Sequence, residues 1–76
     1  MATFDREIDT RGTKCPMPVL KTKKALAAMQ TGEVLQVLAT DPASMADLAE
    51  FARQTGHRIV SQQEVNGEFV HLIEHK

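Results

Sequence analysis

Gly12-Thr13-Lys14-Cys15-Pro16-Met17-Pro18 stands where an alternating segment gives way to one with helical spacing. Proline suits the first helical position, because its fixed φ is helical and its missing N–H would be unpaired there anyway. Pro16 takes that position, and Pro18 still falls in the first turn, where no intrahelical bond is lost. From Val19 onward, Val19, Thr22, Leu26 and Met29 recur at helical spacing, with Ala25 beside them. Cys15 is therefore expected at the N-cap or next to it. Free N–H groups and the positive end of the helix dipole meet there. A thiolate is favoured at such a position, and the thiol pKa is expected below the free value. Lys14 and Arg11 add positive charge, and Gly12 permits the tight turn from strand to helix. The alternative use of a lone cysteine is as a small buried hydrophobe. The flanking prolines oppose it, since they bar Cys15 from a ladder or a helix interior.

Upstream, residues 3–9 alternate, with Phe4 and Ile8 on one side and Asp5, Glu7 and Asp9 on the other. That is the pattern of a half-exposed strand. The first helix is expected over Pro16–Met29 and stops near Thr31-Gly32, with Gly32 as the residue after its cap. Lys21, Lys23 and Lys24 lie on its polar side. Lys21 and Lys24 share a face and, with Lys14, form a basic patch that suits an acidic partner. Residues 33–40 are the most apolar short run and read as a central strand covered on much of both faces. Asp41-Pro42-Ala43 breaks it. Ser44 with Asp47 three residues later resembles a capping box. A second helix then buries Met45, Leu48, Ala52 and either Phe51 or Thr55, and ends at Gly56. Residues 57–65 and 68–75 form a hairpin around Asn66-Gly67, the preferred pair for a type I′ turn. A two-residue loop pairs Val65 with Glu68, Gln63 with Val70, Ser61 with Leu72 and Val60 with Ile73. Either face of the hairpin could meet the helices. The order β-α-β-α-β-β predicts a two-layer α/β sandwich, a four-stranded mixed sheet with two helices on one face. One domain spans residues 1–76.

Composition narrows the function. With 42% hydrophobic and 25% charged residues the chain is an ordinary globular one. A net charge of -1 and the lack of Trp and Tyr oppose direct nucleic-acid binding by field or by base stacking. One cysteine forms no internal disulfide or dithiol cycle, and no long apolar run marks a membrane span, so a cytoplasmic protein is expected. His71 and His75 are four apart, but on a strand that is roughly 13 Å, too far for one ion. His57 stands alone. No metal site is expected.

Asp9-x-x-Gly12-x-x-Cys15-Pro16-x-Pro18 resembles the signature of the TusA/SirA-like sulfur-carrier family. The likeness extends to the lysine-bearing helix, Gly32-Glu33, Asp41-Pro42-Ala43 and the final hairpin. It implies the same two-layer sandwich. It also implies a sulfurtransferase in the relay sense, with Cys15 carrying sulfur as a transient persulfide and no other cofactor. The donor would be a cysteine desulfurase or a rhodanese-like protein. The acceptor would be a downstream carrier or enzyme, for tRNA thiolation, cofactor synthesis or sulfur oxidation. Arg11 and Lys14 become electrostatic helpers, and Gly12, Pro16 and Pro18 supply the geometry. Met17 stands where some members implicated in tRNA thiolation have Glu, so the motif does not select the branch. Two other readings remain open: an interaction module docking through Lys21 and Lys24, and a peroxide-sensing thiol.

Overall fold

Leu35, Val37 and Ala39 occupy alternate positions of one strand and are all 0% exposed. A strand turns alternate residues to one face, so these three define the side of the sheet on which the helices lie. The computed structural model describes residues 4–76. Its elements are β1 (Arg6–Asp9), α1 (Met17–Ala27), β2 (Val34–Ala39), α2 (Ser44–Thr55), β3 (Arg58–Val65) and β4 (Glu68–Glu74). The β-α-β-α-β-β order and the mixed four-stranded sheet are those expected from the sequence. Thr3, placed in the first strand by its alternation, lies outside the described residues.

The strand order is β1-β2-β4-β3. β1 runs parallel to β2, β2 antiparallel to β4, and β4 antiparallel to β3. Two antiparallel steps make β3 parallel to β2, so β4 is inserted between the strands that α2 connects. The core gathers Ala25, Leu26 and Met29 from α1 and the turn after it, Leu35 and Val37 from β2, Leu48 and Phe51 from α2, and Ile73 from β4, with Ile8, Val19 and Ile59 packed at its margin. Each fully buried Leu or Ile contributes about 1.5–3 kcal/mol relative to exposure.

Several details differ from expectation. α1 stops at Ala27 with Ala28 as its cap, two residues before Met29. Gly32 does not close the helix; it lies in the following turn, where its N–H donates to the His75 carbonyl at 3.0 Å. β2 is central, but only one of its faces is covered: Val34, Gln36 and Leu38 remain half-buried. Phe51, not Thr55, is the buried member of that pair in α2, and Met45 is only half-buried. Gly56 caps α2 as expected, with φ 88°.

Asn66 and Gly67 both have positive φ, 52° and 80°, as a type I′ turn requires. The register from Val65↔Glu68 to Ser61↔Leu72 is the expected one. The Val60–Ile73 pairing is not: Ile59 opposes Ile73, and Val60 is the extra residue of a β-bulge. Val60 is left 45% exposed while Ile59 reaches the core. The bulge shifts the alternation beyond Ser61, so that Ile59, not Val60, opposes the inward Ile73. Phe69, His71 and Ile73 are the buried residues of β4, which settles which face of the hairpin meets the helices.

Candidate functional site

The segment between β1 and α1 is held at both ends by side chains that follow β2. The Gly12 N–H donates to Thr40 Oγ1 at 2.9 Å, and the Cys15 N–H donates to Asp41 Oδ2 at 2.7 Å. The other Asp41 oxygen accepts the Ala43 N–H at 3.1 Å. Asp41 thus joins the cysteine loop to the start of α2, and these bonds hold its carboxyl below the usual carboxylate range. Within the loop, Thr13 Oγ1 donates to the Thr10 carbonyl at 2.6 Å. Gly12 has φ 82°, a left-handed conformation that only glycine adopts without strain.

Cys15 is exposed. Pro16 is the N-cap of α1, one position before its expected place, and Pro18 lies in the first turn as expected. The Cys15–Pro16 peptide bond is cis. The sulfur borders a groove between the two helices, lined by Cys15, Pro16 and Val19 on one side and Asp47, Glu50 and Phe51 on the other. On α1, Met17 and Leu20 are 40% and 51% exposed.

The expectation of a thiol activated by the helix N-terminus is not met. The Cys15 N–H is taken by Asp41, and the Met17 N–H by the Lys14 carbonyl at 2.8 Å. Pro16 and Pro18 have none. None of residues 15–18 therefore offers the sulfur a free donor. The surrounding charge is negative. The Asp47 carboxylate, which borders the same groove, raises the thiol pKa above its ordinary value. Desolvation by neighbouring atoms and the Asp47 and Asp41 charges push the same way.

The other residues named from the sequence are not gathered at the sulfur. Arg11 is engaged by Asp9 through two bonds of 2.9 and 2.8 Å and by Glu68 at 3.4 Å. Asp9 also accepts the Arg11 N–H at 2.9 Å, a turn-fixing bond of the kind short Asp side chains favour. These bonds lower its pKa to about 2. Lys14 borders a separate depression with Gly12, Thr13, Thr40, Asp41 and Pro42, where its charge acts on Asp41. Lys21 and Lys24 border a third with Arg6, Ile8 and Ala25, between α1 and the edge strand β1.

Sequence reasoning passed over Asp41 and Asp47. Asp41 read only as a strand breaker, although Asp before a helix is a frequent donor-collecting residue. Asp47 was assigned to a capping box with Ser44. That box does not form: Ala43 is the N-cap and no side chain caps the helix. Ser44 Oγ instead meets His71 Nε2 at 3.0 Å in the interior. Nor does His57 stand alone. Its ring stacks on Phe51 at 5.8 Å and meets His75 edge-on at 4.8 Å. Among the described residues no group of three or more metal-ligating side chains gathers, and no helix is long and apolar enough to cross a membrane.

The family model described as Sulfurtransferase TusA matches residues 6–75. The chain is 49% identical over 73 residues to the sulfur carrier protein TusA of Allochromatium vinosum, covering 96% of each chain. It is 36% identical over 72 residues to TusA of Pseudomonas entomophila, covering 95% of this chain and 90% of that one. A SirA-like protein from Desulfitobacterium hafniense, known from its crystal structure, superposes with a TM-score of 0.82 at 32% identity, covering 92% of this chain and 96% of that one. With the family model spanning nearly every residue and the Cys-Pro-x-Pro turn in place on the same fold, this chain belongs to the TusA sulfurtransferase family of sulfur carriers.

Proposed function

We propose that Cys15 carries sulfur as a persulfide, taken from a donor protein and handed to an acceptor protein. The observation that carries this reading is the placement of the one cysteine. It is exposed, held by Asp41 at the mouth of a groove between two helices, and the chain has no second thiol to resolve a persulfide. In the transfer the Cys15 thiolate attacks the outer sulfur of a donor persulfide. The new S–S bond forms on Cys15 as the donor's S–S bond breaks. The donor leaves as a thiolate, the Cys15 proton passes to solvent or to a neighbouring base, and there is no net oxidation. Two donor chemistries fit, a cysteine desulfurase and a rhodanese-like protein. The exposed Met17 and Leu20 of α1, the helix that follows Cys15, suit a protein partner, since apolar side chains supply contact area at an interface.

The test is the intact mass of the protein after incubation with a cysteine desulfurase and cysteine without reductant, and in parallel with a rhodanese and thiosulfate. Wild type should gain one sulfur atom, lost again on adding dithiothreitol, and Cys15→Ser should gain none. Sulfur on Cys15→Ser, or none on wild type with either donor, would sink the reading. The second reading, a docking module working through Lys21 and Lys24, then takes the lead. Those lysines border a depression apart from Cys15. A pull-down with Lys21→Glu and Lys24→Glu that loses partners retained by Cys15→Ser supports it.

A further inference from the structure

The charged groups that face Cys15 come from three elements. Asp47 and Glu50 belong to α2 and border the same groove. Asp41 belongs to the turn before α2 and binds the Cys15 backbone. Lys14 precedes Cys15 in its own loop, but its charge acts on Asp41. Glu50 is occupied by Arg53, with bonds to both of its oxygens, and by Gln54 at 3.1 Å. Among the described residues Asp47 has no hydrogen-bonded cation of its own. It is therefore the uncompensated carboxylate at the sulfur. Residues 15–18 offer no free donor to oppose it, since the Cys15 and Met17 N–H groups already have acceptors and the other two residues are prolines.

We propose that Asp47 is a restraining residue: bordering the same groove as Cys15, it keeps the proton on sulfur in the free protein, so that the thiol is quiet until a partner's cation pairs the carboxylate. The inference rests on the reading of Cys15 as the sulfur-bearing residue and adds how that residue is regulated. An exposed thiolate would react with any oxidant or disulfide it met. A protonated thiol beside a carboxylate reacts slowly. A partner whose cation pairs Asp47 removes the restraint where transfer is wanted.

The pH profile of iodoacetamide alkylation at Cys15 tests this without any sulfur donor, and Cys15→Ser supplies the blank. Asp47→Asn should move the midpoint of the profile to lower pH. At pH 7 the rate should rise by about threefold for each unit of that movement, because about ten times more thiolate is partly offset by its lower nucleophilicity. Asp47→Ser should do the same, should the amide disturb the helix. Asp47→Glu should return the profile toward wild type. Glu50→Gln, in the same groove, should leave it in place, and far-UV circular dichroism should be common to all. An unmoved or raised midpoint in both Asp47→Asn and Asp47→Ser overturns the proposal. So does an equal movement in Glu50→Gln, which would point to a general acidic field. Because alkylation needs no persulfide, failure here leaves the mass test of sulfur loading untouched. Failure of sulfur loading likewise leaves this profile interpretable.

Discussion

Asp41 Oδ2 accepts the backbone N–H of Cys15 at 2.7 Å, and the other oxygen of the same carboxylate accepts the N–H of Ala43 at 3.1 Å. One side chain thereby fixes the cysteine loop against the start of the second helix. The expected consequence is that Asp41→Ala frees the loop. Sulfur loading of Cys15 from a competent donor should fall on the order of tenfold, as small displacements of a reacting group commonly cost. Asp41→Asn keeps one acceptor oxygen and should fall between. The Cys15 amide resonance in an ¹⁵N spectrum provides the structural check, and it should broaden or shift most in the alanine variant. Loading at the wild-type rate in both variants would show that the clamp is dispensable.

His71 is fully buried and its tautomer follows from its partners. Gln62 Nε2 donates at 2.9 Å to the Met45 carbonyl and lies 3.1 Å from His71 Nδ1. Nδ1 must accept, so Nε2 carries the hydrogen and donates to Ser44 Oγ. Burial lowers the His71 pKa from its ordinary 6.5. The folded state then binds fewer protons than the unfolded one below pH 6.5, so stability rises with pH. It should be greatest above that value and fall as the pH drops toward the folded-state value. His57 is lowered as well, by burial and by the charges of His75 and Lys76, and adds to the same trend. Urea denaturation midpoints between about pH 8 and pH 5 should decline. The decline should be smaller in His71→Gln. A midpoint that rises with acid would contradict the neutral assignment.

Gly67 has φ 80°, and a Cβ built there meets nothing within 4 Å. The cost of Gly67→Ala is therefore backbone strain alone, about 1–2 kcal/mol. Chemical denaturation should show that loss with an unchanged slope. A much larger loss would mean that the hairpin register had slipped.

Leu48 is 0% exposed and sits in the core with Phe51 and Leu35. Leu48→Ala should cost about 2–5 kcal/mol, a large share of the roughly 5–15 kcal/mol a small domain has. Thermal unfolding should show the variant partly unfolded under mild warming. Val60→Ala, on the exposed bulge residue, should change stability by less than about 0.5 kcal/mol. Equal losses at the two positions would contradict the bulge.

Most of the fold was legible because local signals and the global arrangement agree. Asn66-Gly67 names its own turn, Gly56 ends its own helix, and the apolar run of 34–39 is the central strand it reads as. The failures occur where a residue has more than one use. Ser44 has the chemistry of a cap but bonds His71, 27 residues away. Val60 has the chemistry of a core strand but is set outside by the bulge. The helix mouth at Cys15 has the sequence of an anion site, yet the Cys15 and Met17 N–H groups are taken by Asp41 and Lys14.

The sequence by itself determined the element order, the hairpin turn and the position of Cys15 before a proline-started helix. Each of these depends on φ preferences and hydrophobic spacing within a few residues of chain. Tertiary structure alone decided the insertion of β4 between β2 and β3, the inward face of the hairpin, and the electrostatic surroundings of the sulfur. Asp41 lies 26 residues beyond Cys15, and Asp47 lies in the first turn of α2. A carboxylate raises a thiol pKa through space, with a strength set by distance and solvent, and no spacing along the chain records that distance.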